Sequence, residues 1–216
     1  MERSEIIQAT EEFIAREFAS EGSGHDWFHV DRVRRLALRM GKAEGCDLFI
    51  AEIAALLHDL DDYKISGSES KVPLKAKRWL SAMEMEADVL AQILQVIEEV
   101  SYKGSGIETP VSSVESAVVQ DADRLDAIGA IGIARTFAYG GHKNRLIYDP
   151  DIVPVMHDDF QSYKSSTAPT INHFYEKLLL LKDRMNTDAA KLIAAQRHLF
   201  MENYLQHFFD EWETQG

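Results

Sequence analysis

The stretch Leu48-Phe49-Ile50-Ala51-Glu52-Ile53-Ala54-Ala55-Leu56-Leu57-His58-Asp59 decides how this chain is read. A nearly unbroken apolar run ends in an imidazole and a carboxylate. Asp47 stands before it in the position of a helix N-cap. Ala51, Ala54, Ala55 and His58 share one helical face, so His58 emerges on the side turned to the core. Two further segments offer the same kind of side chain. His29 leads the stripe His29, Val33, Leu36, Met40, and Asp121 sits inside the stripe Val114, Val118, Asp121, Leu125, Ile128, Gly132. A carboxylate in the middle of an apolar stripe is costly without a partner. Two imidazoles and two carboxylates from three core helices are enough to build a metal centre, and one shared cation satisfies all of them.

Working outward, almost every long segment has helical periodicity, and none alternates convincingly with period two. Helices are expected from about Ser4 to Ala19, from Asp26 or Phe28 to Gly41, and from Asp47 to His58-Asp59. Others are expected over about Leu74–Met83, Ala87–Ser101, Ser112–Phe137, Ile171–Met185 and Thr187–Glu211. The stretch from Gly140 to Thr170 reads as a long irregular loop, of the kind that covers a site or meets a partner. No repeat, low-complexity tract or Pro-rich linker divides the chain. The expected architecture is all-α, a single-domain helical bundle over residues 1–216, with a metal core over about 20–140 and C-terminal helices over about 171–211 packing on it.

Bulk composition narrows the chemistry. With 216 residues, 45% hydrophobic and 27% charged, the chain has the make-up of an ordinary globular protein. A net charge of −13 and no basic stripe argue against nucleic acid. No apolar run is long enough for a membrane span. The N-terminus does not read as a secretory signal, and the single cysteine, Cys46, fits a reducing cytoplasm. A cytoplasmic protein handling small molecules is the expectation, and an anionic substrate would need a metal to offset the acidic field.

The order His29, His58-Asp59, Asp121 resembles the H…HD…D pattern of the HD superfamily of metal-dependent phosphohydrolases. The segments His25-Asp26-Trp27-Phe28-His29-Val30-Asp31-Arg32-Val33 and Asp121-Ala122-Asp123-Arg124-Leu125-Asp126-Ala127-Ile128-Gly129 look like those of its small stand-alone bacterial members, as does the tail around Asn172-His173-Phe174-Tyr175. The resemblance implies an HD-type fold with His29, His58, Asp59 and Asp121 as ligands of one divalent ion. Manganese comes first on that resemblance, with Fe, Co, Ni, Zn or Mg as alternatives, and the mixed N/O donor set suits such metals better than calcium.

It implies water attack on a small phosphate compound. A nucleotide ranks first, and pyrophosphate release from a nucleoside triphosphate is the leading reaction. Asp62 is the candidate general base or acid beside Asp59, with Asp61 as its competitor. Arg32, Lys64 and Arg124 are the candidate phosphate-binding cations. His25 and Asp26 would line the mouth of the site, unless Asp26 simply caps its helix. The alternative is a regulatory module that keeps the fold and the metal but binds its nucleotide without turnover. A homodimer is compatible with the sequence.

Overall fold

The computed structural model describes residues 1–19, 26–61, 73–100, 110–156 and 167–214. Its described elements are all helical: α1 (Arg3–Glu17), α2 (Trp27–Glu44), α3 (Leu48–Leu57), α4 (Leu74–Ser81), α5 (Ala87–Val100), α6 (Val114–Asp126), α7 (Gly129–His142), α8 (Asn172–Glu176), a 3-10 helix (Leu178–Arg184) and α9 (Asp188–Trp212). They form two compact units, and the division falls inside α6, between Asp123 and Arg124.

In the first unit α3 is the central element. Every residue from Phe49 to Leu57 is buried, and α1, α2 and α5 all pack on it. That explains why its sequence shows so little polarity: a helix surrounded by others has no face to give to water. Asp47 caps it by accepting from the N–H groups of Phe49 and Ile50. The one charge on α3, Glu52, is met by Arg34 of α2, whose Nε lies 2.7 Å and whose second guanidinium nitrogen lies 2.6 Å from Glu52 Oε1. Arg34 also reaches Glu11 of α1 at 2.9 Å, so one guanidinium ties three helices together. Replacing Arg34 by Met is expected to cost about 3 kcal/mol, because a buried carboxylate then loses its counter-charge. Urea unfolding of the Arg34→Met protein is the measurement.

In the second unit α7 and the 3-10 helix pack on α9. Aromatic rings fill this interface: Phe174 stacks on Tyr204 at 5.8 Å, and Phe137 lies 6.1 Å from Phe174. The irregular segment around residues 146–156 is held by its backbone. Leu146 and Ile147 carbonyls accept from Thr170 and Ile171, the amide of buried Asn172 donates to the Ile152 carbonyl, and the Val155 N–H donates to Glu176. The rest of the long loop expected over 140–170, residues 157–166, lies outside the described residues.

Two helices expected as continuous are broken. The span read as one helix from Ser112 to Phe137 divides at Ala127-Ile128. Ile128 is extended, and Gly129 takes φ +78°, which favours glycine. The Ala127 carbonyl turns back so far that a Cβ on Gly132 would stand 2.2 Å from its oxygen. The span from Ile171 to Met185 divides at Lys177 (φ −144°, ψ −58°), after which the chain tightens into the 3-10 helix. Apolar spacing is blind to such breaks, because both halves continue to face a core.

A candidate metal centre

The side chains that the described residues bring together at the candidate centre, His29, His58, Asp59 and Asp123, belong to the first unit. His29 enters from the first turn of α2. Asp26 caps that helix, its carboxylate accepting from the His29 N–H at 2.9 Å, which is the capping role left open by the sequence. The cap therefore fixes the backbone of the candidate ligand itself. His58 closes the C-terminal end of α3, and Asp59 lies on the turn that follows.

The ring of His58 is oriented by its own helix. Its Nδ1 lies 2.8 Å from the Ala55 carbonyl. A carbonyl only accepts, so Nδ1 carries the proton and Nε2 presents a lone pair. This Nε2 is buried and makes no hydrogen bond. The His29 and His58 rings stand 5.4 Å apart, inclined at 63°. His29 Nε2 is 3.2 Å from Asp59 Oδ2, and His58 Nε2 is 3.5 Å from Asp59 Oδ1. Ligand atoms of His29, His58 and Asp59 all lie within 4.8 Å of one another.

These spacings fit a shared divalent ion. Two donors bound at about 2.1 Å and at right angles stand about 3 Å apart. A buried imidazole nitrogen with no hydrogen bond, facing carboxylate oxygens at that separation, belongs to a donor set that a divalent cation would satisfy. Oxygen and imidazole donors suit the first-row divalent metals. Thiolate plays no part: burial, with Glu115 adding to it, pushes the Cys46 thiol up to about 11, so it stays protonated at neutral pH.

A carboxylate of α6, that of Asp123, approaches both imidazoles. Its Oδ1 lies 3.6 Å from His29 Nε2 and 3.8 Å from His58 Nε2. Asp121, the residue singled out by the apolar stripe, is fully buried two residues further back, and neither aspartate belongs to the mutually close set of His29, His58 and Asp59. The apolar stripe is a weak guide on this helix because α6 is so deeply buried. Ser116 to Ala122 are all buried, so an apolar stripe selects no single face of that helix. The available signal was the Asp121-Ala122-Asp123 tripeptide, in which two carboxylates point nearly opposite ways. The partly exposed one, Asp123, faces the imidazoles.

The remaining predicted residues are spread differently. His25, Asp62 and Lys64 lie outside the described residues. Arg32 is half-buried on α2, one turn from His29. Arg124 is buried, and its guanidinium donates to the Arg184 carbonyl at the end of the 3-10 helix. Asp61 does not stand free as a base, since its two oxygens accept from backbone N–H groups of α4.

A family model, the HD domain, matches residues 27–128, from the start of α2 to just past α6. The YpgQ protein of Bacillus subtilis is 39% identical over 187 residues, covering 86% of this chain and 83% of that one. The chain belongs to the HD-domain family. Its solved structural relatives agree over nearly the full length. A Lactobacillus plantarum protein superposes with TM-score 0.84 at 39% identity, covering 99% of this chain and 100% of that one. A protein described as an HD-superfamily hydrolase from Bacillus thuringiensis gives TM-score 0.77 at 42% identity, covering 98% and 99%. Bacillus subtilis YpgQ, solved in complex with ADP, gives TM-score 0.75 at 35% identity, covering 95% and 97%. For an HD-domain protein the His-His-Asp cluster is the expected seat of a divalent ion, and the all-helical fold is the one the family predicts. Among the described residues no helix is long and apolar enough to cross a membrane.

Proposed function

We propose that this HD-domain protein is a metal-dependent phosphohydrolase of nucleotides, with hydrolysis of a nucleoside triphosphate to monophosphate and pyrophosphate as its leading reaction. The observation that carries the reading is the buried, unpartnered Nε2 of His58 facing Asp59 and Asp123 beside His29. The nucleotide part is supported by the likeness to YpgQ, which was solved with ADP.

His29, His58, Asp59 and Asp123 would hold the ion, with manganese the first choice. When bound, a divalent ion supplies Lewis acidity toward phosphoryl oxygen and water in an otherwise acidic protein. The residues do the rest. Ala55 holds His58 in the tautomer that exposes Nε2, and the Asp26 cap holds the first turn of α2 under His29. In the reaction, water oxygen forms a bond to the α-phosphorus as the bond from that phosphorus to the pyrophosphate oxygen breaks. The carboxylate of Asp62 is the proposed acceptor of the water proton. Arg32, Lys64, Arg124 and His25 are the proposed contacts to the phosphate chain, although the Arg124 guanidinium already donates to a backbone carbonyl. The setting proposed with this activity is the cytoplasm.

The test is a nucleotide panel assayed with Mn, Co and Mg, with metal analysis of the same sample. Pyrophosphate release from one or more nucleoside triphosphates, lost on chelation, is the expected result. Thermal stabilisation by nucleotide with no release of phosphate or pyrophosphate under any metal would overturn the enzymatic reading in favour of a regulatory module.

A further inference from the structure

Asp59 does not lie on a helix. α3 ends at Leu57, and residues 58–61 form a turn, so the backbone that carries this candidate ligand lacks the restraint of a continuing helical ladder. A ligand group needs to be held to within about 0.5 Å. Something must therefore hold the turn. On the near side, Leu60 is buried and its N–H donates to the Leu57 carbonyl at 3.1 Å. On the far side the turn is tied by Asp61.

The tie has an unusual form. α4 begins after Pro73, which occupies the N-cap position and has no side chain to serve it. The second and third residues of the helix, Lys75 and Ala76, carry the N–H groups that an N-cap side chain normally takes. Both are taken by Asp61 from far upstream: Lys75 N–H donates to Oδ1 and Ala76 N–H to Oδ2, each at 3.0 Å. α4 is itself firmly seated. Ala76 and Leu80 are fully buried, Trp79 stacks on Phe13 at 4.0 Å, and Trp79 Nε1 donates to Thr10 Oγ1 of α1 at 3.0 Å.

We propose that Asp61 is a positioning residue for Asp59: by capping α4 from two residues beyond the His58-Asp59 pair, it fastens the candidate ligand's turn to the α1–α4 packing. The carboxylate touches neither metal nor substrate in this role. It acts through the backbone of residues 59–61, and it converts the rigidity of a packed helix into a fixed place for Asp59. This inference rests on the metal reading above.

The experiment is manganese titration by calorimetry of the full chain, after chelator treatment, for wild type, Asp61→Ala, Asp61→Asn and Leu205→Ala. Melting of each metal-free protein is recorded alongside. Asp61→Ala is expected to weaken manganese binding by about tenfold, the lower end for loss of a group that supports a metal ligand. Asp61→Asn keeps one acceptor oxygen and is expected to fall between Asp61→Ala and wild type. Leu205→Ala opens a cavity among buried residues of the second unit, away from α1 and α4, and is expected to lower the melting temperature yet leave manganese affinity within twofold of wild type. If Asp61→Ala binds manganese within twofold of wild type, or if Leu205→Ala weakens binding as much, the positioning role is overturned. Should Asp61→Ala not fold, Asp61→Asn decides by the same twofold criterion. A wild-type protein that takes up no manganese would instead sink the metal reading, so the two failures are separable.

Discussion

Replacement of His58 by alanine is expected to abolish stoichiometric metal binding and to lower phosphohydrolase turnover by well over 100-fold. Removing merely an outer partner of a metal ligand costs about 10–100-fold in affinity or activity, and His58 is placed as a ligand itself. Its proton sits on Nδ1, bonded to Ala55, so no other group can take over the lone pair that Nε2 presents. The same substitution removes the Nδ1 bond to Ala55 and leaves a cavity, losses partly offset because the Nε2 it also removes is buried and unsatisfied, a cost to the metal-free native state. The signature is therefore thermal. Wild type should gain about 2.7 kcal/mol when manganese stands at about 100 times its Kd, and should lose that gain on chelation. The His58→Ala protein should melt at one temperature with and without manganese. A variant that still gains stability from manganese would place the ion elsewhere.

The second large effect separates the two aspartates of α6. Asp123→Asn is expected to weaken manganese binding by at least tenfold while leaving the unfolding of the metal-free protein nearly unchanged. Its side chain is 28% exposed and faces both imidazoles. Asp121→Asn is expected to do the reverse. That carboxylate is fully buried, and changing one oxygen acceptor into a donor at a buried site costs about 1–3 kcal/mol. Urea unfolding in chelator, set beside manganese titration, reads both quantities on the same samples. If Asp121→Asn loses the metal and Asp123→Asn keeps it, the fourth ligand is Asp121, and the approach of Asp123 to the histidines is incidental.

The pair also marks where a one-dimensional reading stops. Helical periodicity reports which side of a helix avoids water. For α2 that suffices, because one side is wet, and His29 falls on the dry side as its spacing from Val33 and Met40 implied. For α6, buried almost all round between Ser116 and Ala122, periodicity carries no direction. Asp26 and Asp61 make the same point. Each is a carboxylate near a candidate ligand, and sequence alone could not distinguish a reactive group from a cap. The structure finds both accepting backbone N–H groups at helix starts.

What the sequence determined by itself was the all-helical character, the burial of α3, and the convergence of His29 with His58 and Asp59. Those follow from apolar spacing and from the scarcity of polar groups on inward faces, which are local properties of the chain. What only the tertiary structure decided was the approach of Asp123 to the imidazoles, where the helices break at Gly129 and Lys177, and how Asp61 caps a helix that begins after Pro73. Those depend on which groups are brought together from distant parts of the chain. Hydrogen-bond partners and mutual burial are properties of pairs in space, and a linear pattern of residue types does not contain them.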